Sequence, residues 1–387
     1  MRNNNKRQSW QRIRRGAAVG AAAAMLVTAC GSGDSGVGDT VGDDSPLAGC
    51  PKKIVIQAGW FPEAEHSPAY MLAGPGGKID AKAGTYTGAI EGTGVDVEIR
   101  TGGTYIGFQQ TTSIMYQKPE VFIALGGTTS TIDTYATTPT VSVFAPFIKP
   151  LKAFVYDPSK IAIDPKDPST IKSSGAPILV EEANKDTMTF LANRGMIDIK
   201  QADYSYDGAL TRYVTEDGKS MLFGYQTNEP YRLENLTPGW DRPVKAINLG
   251  DVGYETYDEI WSVRPEAITE YKQCLSALIP MAQKAQLEYL KNPGPLNKSI
   301  EELVKAEKTF WEVDQPSMQY AVDVMNNDGL VGNGPSGVYG EFDKDRINRL
   351  IKEYAPVMEK SGRKVPDVTA DDLVTNEFLD PTIKFTK

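Results

Sequence analysis

The chain has 387 residues, with 41 Lys and Arg against 50 Asp and Glu and a net charge of −9. Residues 1–29 hold six of the basic residues and no acidic residue, so the rest of the chain carries a charge of −15. A body this acidic excludes nucleic-acid binding by phosphate neutralisation, which requires an excess of Lys and Arg. The hydrophobic fraction of 40% is large enough to form the core of one large or two medium domains.

The N-terminal 29 residues have the pattern of a secretory signal peptide. A basic stretch ending at Arg15 precedes the apolar run 16–27, which is too short and too rich in Ala and Gly for a membrane span of about 20 residues. The following Leu26-Val-Thr-Ala-Cys30 resembles a bacterial lipobox, in which the cysteine thiol is acylated and becomes the new N-terminus. The alternative is an ordinary cleaved signal followed by an incidental cysteine.

Residues 30–49 are rich in Gly, Ser and Asp and are expected to form a flexible tether. We therefore expect an exported protein that is lipid-anchored to the outer face of the bacterial cytoplasmic membrane, at the cell surface or in the periplasm. Disulfides persist outside the reducing cytosol. With Cys30 acylated, Cys50 and Cys274 remain, either bonded to each other or present as two buried free thiols.

The chain after residue 50 alternates apolar strands, Gly/Thr turns and helices. Apolar runs of four to six residues predict the strands, at 53–57, 95–100, 121–125, 141–144, 177–180, 220–225 and 244–249. Helical patterns occur at 66–73, 106–116, 186–193 and 343–360, and a capping box at Ser299-Ile-Glu-Glu302 predicts the start of another helix. This order predicts an α/β protein with mostly parallel sheets covered on both faces.

Polar and aromatic side chains follow several of these strands, where ligands of open α/β sheets bind. The candidates for ligand binding are Trp60, His66, Thr104, Thr128, Thr129, Asn184, Thr187, Asn228 and Glu229. Each also has an ordinary structural explanation: Trp60 and His66 can be core residues, and Glu229 can shape a turn with Pro230. His66 is the only histidine and the cysteines lack paired spacing, so we predict no metal site, cofactor or catalytic residue.

Three segments resemble one group of bacterial solute-binding proteins. They are the Trp-x-Pro-x-x-x-His element Trp60–His66, the Glu-Pro strand end within Gly224–Tyr231, and the Val-x-Asn-x-Phe-Leu ending Val374–Leu379. The group includes the nitrate, alkanesulfonate and taurine binding components of ABC importers, and binders of thiamine-pyrimidine precursors and riboflavin. The resemblance implies a periplasmic-binding-protein type II fold, with a ligand cleft between two α/β lobes. Lobe 1 is predicted at residues 50–155 and 250–387, and lobe 2 at residues 156–249.

The resemblance also implies a monomer that captures a small molecule and delivers it to an ABC permease without catalysis. Trp60 would offer a flat ring face, His66 a donor or acceptor, and Glu229 an acceptor for an amino group. We expect an aminopyrimidine-like heteroaromatic ligand, because the predicted strand ends carry no Arg that would clamp an anion. Sulfonates, taurine and nitrate stay open as ligands. A solute-sensing lipoprotein and an enzyme of the thiamine-pyrimidine synthase type are the alternative functions, although the chain lacks the Cys-rich motif of that enzyme.

Overall fold

Two β-sheets organise residues 38–206 and 208–387, which are the residues described by the computed structural model of the protein. The predicted signal peptide and Cys30 lie outside the described residues. In chain order the strands are β1 (Lys53–Gln57), β2 (Lys78–Asp80), β3 (Thr85–Ile90), β4 (Val95–Arg100), β5 (Val121–Gly126), β6 (Val141–Phe144), β7 (Lys152–Tyr156), β8 (Ile178–Leu179), β9 (Ala202–Asp203), β10 (Met221–Tyr225), β11 (Lys245–Asn248) and β12 (Ile260–Val263).

The first sheet has the order β2-β3-β4-β1-β5-β12-β6. Its central strand β1 pairs in parallel with β4 and β5, and all but the first of its residues are buried, as expected for a strand covered on both faces. β12 returns from much later in the chain and pairs antiparallel to both β5 and β6. Four of the six strand pairings in this sheet are antiparallel, so the prediction of a mostly parallel sheet is wrong here.

The second sheet has the order β11-β7-β10-β8-β9. We call the first sheet with the helices between its strands the first lobe, and the second sheet with its helices the second lobe. The chain passes between the sheets twice: the first crossover lies at 145–151, between β6 and β7, and the second at 249–259, between β11 and β12. Because β7 begins at Lys152, the second sheet includes residues that the sequence had assigned to lobe 1.

Helices cover the sheets and form most of the last third of the chain. They are α1 (Ser67–Ala73), α2 (Thr111–Gln117), α3 (Thr128–Thr134), α4 (Ser169–Ser174), α5 (Lys185–Asn193), α6 (Leu210–Thr215), α7 (Glu229–Tyr231), α8 (Ala267–Glu270), α9 (Lys272–Lys291), α10 (Gly294–Glu307), α11 (Gln315–Asn327), α12 (Lys344–Lys360) and α13 (Ala370–Leu373). Within the described residues, no helix is both long and apolar enough to cross a membrane.

The structure confirms one predicted helix start and contradicts another. Asp343 caps α12 by accepting a hydrogen bond from the backbone N–H of Arg346 at 3.0 Å, which confirms the start predicted there. The capping box predicted at Ser299 is wrong, because α10 already begins at Gly294 and Ser299 lies inside it. The Ser299 hydroxyl instead accepts a hydrogen bond from the backbone N–H of Gly76 at 2.9 Å.

The segment immediately before β1 is packed onto the first lobe. Leu47 is fully buried, and the hydroxyl of Ser45 donates to the backbone oxygen of Thr93 at 2.6 Å. Cys50 forms a disulfide with Cys274 of α9. This part of the chain therefore differs from the flexible tether expected up to residue 49, because Leu47 supplies an apolar anchor within an otherwise polar segment.

Candidate functional site

The loop after β1 carries a glutamate and the single histidine into the space between the two sheets. Glu63 has an extended backbone, and a 3-10 turn over Ala64–His66 then leads into α1, where Pro68 occupies the first turn. This turn brings the Nε2 atom of His66 to 3.7 Å from the Oε1 atom of Glu63. Glu63, Glu65 and His66 are each only 1% exposed.

A second glutamate reaches His66 from the end of the second crossover. The Oε2 atom of Glu259 lies 3.1 Å from the Nε2 atom of His66, but the ring N–H direction does not fit a hydrogen bond. The Oε1 atom of Glu259 accepts from the hydroxyl of Tyr225 at 3.3 Å. Glu259 has a φ of 53°, a left-handed conformation that costs a residue with a side chain about 1–3 kcal/mol. We call Glu63, Glu65, His66 and Glu259 the cleft cluster.

The loop after β10 contributes the second lobe's side of the cleft cluster. The hydroxyl of Thr227 donates to the Oε1 atom of Glu65, and the Nδ2 atom of Asn228 donates to the Oε2 atom of Glu63 at 3.3 Å. Both donors are buried. These two hydrogen bonds join the lobes directly and cover the cleft cluster from the side of the second lobe.

The cleft cluster is electrostatically unbalanced. Burial raises the pKa of Glu63 well above its ordinary range, and the carboxylates of Glu65, Glu259 and Glu229 raise it further. Burial also raises the pKa of Glu65, although the hydrogen bond from Thr227 opposes this increase. An ionised carboxylate in this cluster is therefore unfavourable unless a cation or a hydrogen-bond donor accompanies it.

Several atoms of the cleft cluster are buried without a hydrogen-bond partner. They are Oε1 of Glu63, Oε2 of Glu65, Oε2 of Glu259 and both ring nitrogens of His66. Buried polar atoms in native proteins are nearly always paired, because leaving one unpaired costs about 1–3 kcal/mol. A group of five such atoms in one place indicates a binding site.

The nearby cation Lys152 is already committed to a carboxylate. Its Nζ atom lies 2.7 Å from the Oδ1 atom of Asp258, and the other oxygen of Asp258 accepts from the backbone N–H of Leu151 at 2.9 Å. Burial lowers the pKa of Lys152, but Asp258, together with Tyr254 and Glu259, more than offsets this effect and the pKa is raised. The pair joins the two crossovers, since Leu151 ends the first and Asp258 lies in the second.

Trp60 lies in an aromatic cluster beside the cleft loop. Its half-buried ring contacts the rings of Phe61, Phe108, Phe310 and Trp311 at centroid distances of 5.3–6.5 Å. Phe108 and Phe310 are 55% and 60% exposed, which is unusual for large apolar side chains. Trp60 is therefore neither a deeply buried core residue nor fully available to solvent.

Three of the predicted threonines meet the second crossover. The Thr128 hydroxyl accepts from the backbone N–H of Tyr257 at 3.0 Å. The Thr187 hydroxyl lies 3.2 Å from that of Tyr254, which also forms a hydrogen bond with Thr129. These side chains hold the crossover from both lobes, since Thr128 and Thr129 open α3 and Thr187 lies in α5.

Glu229 occupies the loop after β10, as predicted, but its carboxylate binds its own loop. The Oε2 atom accepts from the backbone N–H of Tyr225 at 2.7 Å, and Oε1 lies 3.7 Å from Arg232. Burial raises the pKa of Glu229 to about 7, against the lowering effect of Arg232. Asn228, its neighbour, is the predicted second-lobe residue that contacts the cleft cluster directly.

The remaining two candidates have local contacts. The side chain of Asn184 donates to Glu181 at 3.2 Å at the start of α5. Thr104 is exposed on the 3-10 turn Gly103–Ile106. Their assignment as ligand-binding residues stays a prediction.

Sequence reasoning did not single out the acidic residues of the site. Glu63 and Glu65 lie inside the Trp60–His66 element. The three-residue spacing of Glu63 and His66 places both side chains on one turn. Asp258 and Glu259 form an acidic pair directly before an apolar strand, which is a position where charged residues are uncommon unless they face a cleft or the solvent.

Comparison with known proteins identifies the fold. No family model matches the chain, and no curated protein matches its sequence. The structure is similar to the periplasmic aliphatic sulphonate binding protein SsuA from Escherichia coli, with a TM-score of 0.53, 10% identity, and coverage of 87% of this chain and 95% of that chain. It is also similar to a ligand binding component of an ABC-type import system from Staphylococcus aureus with zinc bound (TM-score 0.51, 10% identity, coverage 84% and 97%).

The alkanesulfonate-binding protein SsuA from Xanthomonas axonopodis pv. citri, bound to MOPS, is a third similar structure. Its TM-score is 0.50 at 10% identity, with coverage of 84% of this chain and 98% of that chain. These similarities extend over nearly the whole length of each binding protein and over 84–87% of this chain. At the level of the fold they confirm the resemblance to solute-binding proteins: the chain has the two-lobed α/β fold of the periplasmic binding proteins.

Proposed function

We propose that the protein is an extracytoplasmic solute-binding component of an ABC importer, anchored through Cys30. It acts as a monomer, captures a small amine-bearing heteroaromatic molecule between its lobes and delivers it to a membrane permease. The fold that it shares with ligand-binding import components supports a binding role rather than a catalytic one.

The observation that carries the proposal is the buried carboxylate cluster between the lobes. Glu63, Glu65 and Glu259 meet there with Glu229 nearby, and the cation Lys152 is already paired with Asp258. A ligand with amino groups would donate hydrogen bonds to the unpartnered carboxylate oxygens, or bring a positive charge to them. A sulfonate or nitrate would instead add negative charge to the cluster, which is strongly unfavourable in a buried site.

Access to the cleft cluster requires movement of the lobes. Glu63 and His66 are buried in the closed arrangement, and hydrogen bonds from Thr227 and Asn228 close the space from the second lobe. We infer that the lobes rotate about the two crossovers and that the solute replaces these contacts on binding. The half-buried ring of Trp60 lies beside the cleft loop and can stack on a heteroaromatic ligand.

Calorimetric titration of the purified protein with an aminopyrimidine, taurine, an alkanesulfonate and nitrate tests the proposed ligand. We expect binding of the aminopyrimidine, weakened about tenfold in Trp60→Ala, which corresponds to a loss of about 1.4 kcal/mol. Tyr116→Ala, which removes an exposed aromatic side chain elsewhere in the first lobe, is the control and should bind as the parent does. Binding of taurine without any binding of the aminopyrimidine would contradict the proposal.

The importer assignment has a separate test. Native mass spectrometry of the protein purified from its own cells should detect the bound solute, and crosslinking in membranes should recover a permease. Recovery of a receptor or sensor kinase instead of a permease would favour the sensing alternative.

A further inference from the structure

Three side chains of the cleft cluster are arranged as the ligands of a metal ion. The Oε1 atom of Glu63, the Nε2 atom of His66 and the Oε2 atom of Glu259 all lie within 4.8 Å of one another. The nitrogen is 3.7 Å from the Glu63 oxygen and 3.1 Å from the Glu259 oxygen. Ligand atoms at about 2.0–2.2 Å from a tetrahedral zinc ion are roughly 3.4 Å apart, and the two measured distances lie on either side of that value.

The same three atoms are buried and have no hydrogen-bond partner. The side chains of His66, Glu63 and Glu259 are 0%, 2% and 9% exposed, and none of the three atoms accepts or donates a hydrogen bond. The His66 ring lies within contact distance of both carboxylates without directing an N–H at either of them. This is the geometry expected when all three atoms present lone pairs to a common point.

Neighbouring groups of the second lobe hold the two carboxylate ligands in position. The second oxygen of Glu63 accepts from Asn228, and the second oxygen of Glu259 accepts from the hydroxyl of Tyr225. Each carboxylate therefore has one oxygen fixed by a protein hydrogen bond and the other free. Such outer contacts orient metal ligands and are typical of sites that bind ions tightly.

We propose that Glu63, His66 and Glu259 bind a divalent first-row transition-metal ion, with zinc as the reference ion. One imidazole and two carboxylates are suitable ligands for such ions, whereas calcium and magnesium prefer oxygen ligands alone. Within residues 38–206 and 208–387, no other three His, Cys, Asp or Glu side chains bring ligand atoms as close together.

Three protein ligands leave at least one coordination position open. Water can fill that position, and so can a donor atom of a captured solute, such as the lone pair of a heteroaromatic ring nitrogen. With the ion in place, an amino group of the solute would donate to the free Oε2 atom of Glu65, which does not bind the metal. The metal site itself does not depend on the importer assignment, but coordination of the solute by the metal rests on the proposed function.

Titration of the full-length protein with a metal ion alone tests the site. After removal of bound metals with EDTA, we expect one Zn²⁺ per chain by calorimetry, and a visible absorption band from Co²⁺ in the same site. Glu259→Gln and Glu63→Gln keep the shape of the side chain and should each weaken Zn²⁺ binding by at least about 100-fold, because even residues that only orient a ligand cost about 10–100-fold.

Glu307→Gln is the control, because Glu307 is a partly buried glutamate at the end of α10, lies outside the cleft cluster and contributes no ligand atom. It should bind Zn²⁺ within a few-fold of the parent, with an unchanged Co²⁺ spectrum. The inference is overturned if the parent binds no stoichiometric Zn²⁺, or if both ligand variants bind it as tightly as Glu307→Gln. An aminopyrimidine titration without metal separates the two claims: solute binding with no Zn²⁺ binding leaves the proposed function standing and removes the metal site.

Discussion

Replacing Glu229 by glutamine is expected to stabilise the protein at alkaline pH. Burial raises the pKa of Glu229 to about 7, with Arg232 opposing the increase. Between the ordinary value of 4.5 and about 7, the folded protein keeps this proton while the unfolded chain releases it. The folded state then binds more protons than the unfolded state, so the free energy of unfolding falls as the pH rises.

The size of this effect follows from the two pKa values. The difference between 4.5 and about 7, at 1.36 kcal/mol per pH unit, corresponds to about 3 kcal/mol above pH 7. Glutamine keeps an oxygen for the backbone N–H of Tyr225 but loses the 3.7 Å ion pair with Arg232, which reduces the gain somewhat. With an unfolding entropy of about 2.1 cal/mol/K per residue, 3 kcal/mol corresponds to roughly 4 °C in Tm for a fold of this length.

Thermal and urea unfolding of Glu229→Gln and the parent at pH 8 and at pH 4.5 measures this difference. The variant should be more stable than the parent at pH 8. At pH 4.5 the two stabilities should be similar, because the folded and the unfolded parent both bind the Glu229 proton more fully there. Glu91→Gln, in an exposed turn between β3 and β4, is the control and should change stability little at either pH. A variant that is less stable at pH 8, or a difference that does not depend on pH, would refute the reasoning.

Three further predictions concern the parts of the fold that support the site. Lys152→Met should lower the free energy of unfolding in urea by about 3–5 kcal/mol, because it leaves the buried Asp258 without its cation; a second change of Asp258 to Asn should restore most of the loss, and no restoration would contradict the pairing argument. Cys274→Ser should lower the free energy of unfolding by about 2–5 kcal/mol. A reducing agent should cause the same loss in the parent and no further loss in the variant. Gly88→Ala should lower the free energy of unfolding by at least about 1–3 kcal/mol, because the new Cβ would lie 1.9 Å from a backbone oxygen of α1. Gly294→Ala is the control and should be well tolerated, because its Cβ would have no neighbour within 4 Å. Equal effects of the two substitutions would refute the packing argument.

The strands were the most predictable elements, because their apolar runs are short and bounded by turn residues. The predicted bounds of β1, β4 and β6 agree with the structure. The helix predicted at 106–116 is wrong in its first half. Gly107 and Phe108 adopt left-handed backbone conformations with φ of 59° and 55°, which end the 3-10 turn Gly103–Ile106, and α2 begins only at Thr111.

The candidate site was predictable only where its residues share one loop. The resemblance indicated His66 and the Asn228-Glu229 loop, and the structure brings His66 and Asn228 to the same cluster. Glu259 could not be placed beside His66, because their contact arises from the insertion of β12 between β5 and β6, far along the chain. Local sequence patterns contain no signal for such a long-range pairing.

The disulfide between Cys50 and α9 has a mechanical consequence. If the proposed anchor at Cys30 holds the protein, a pull from the membrane would first load the packed segment that contains Ser45 and Leu47. At Cys50 it would then pass through a covalent bond into the longest helix of the last third of the chain. The hydrogen bonds of β1, which begins three residues later, would carry little of that load. The second lobe lies outside this line of force, because the chain connects it to the first lobe through the two crossovers. A tethered molecule could therefore hold its first lobe still while the second lobe rotates.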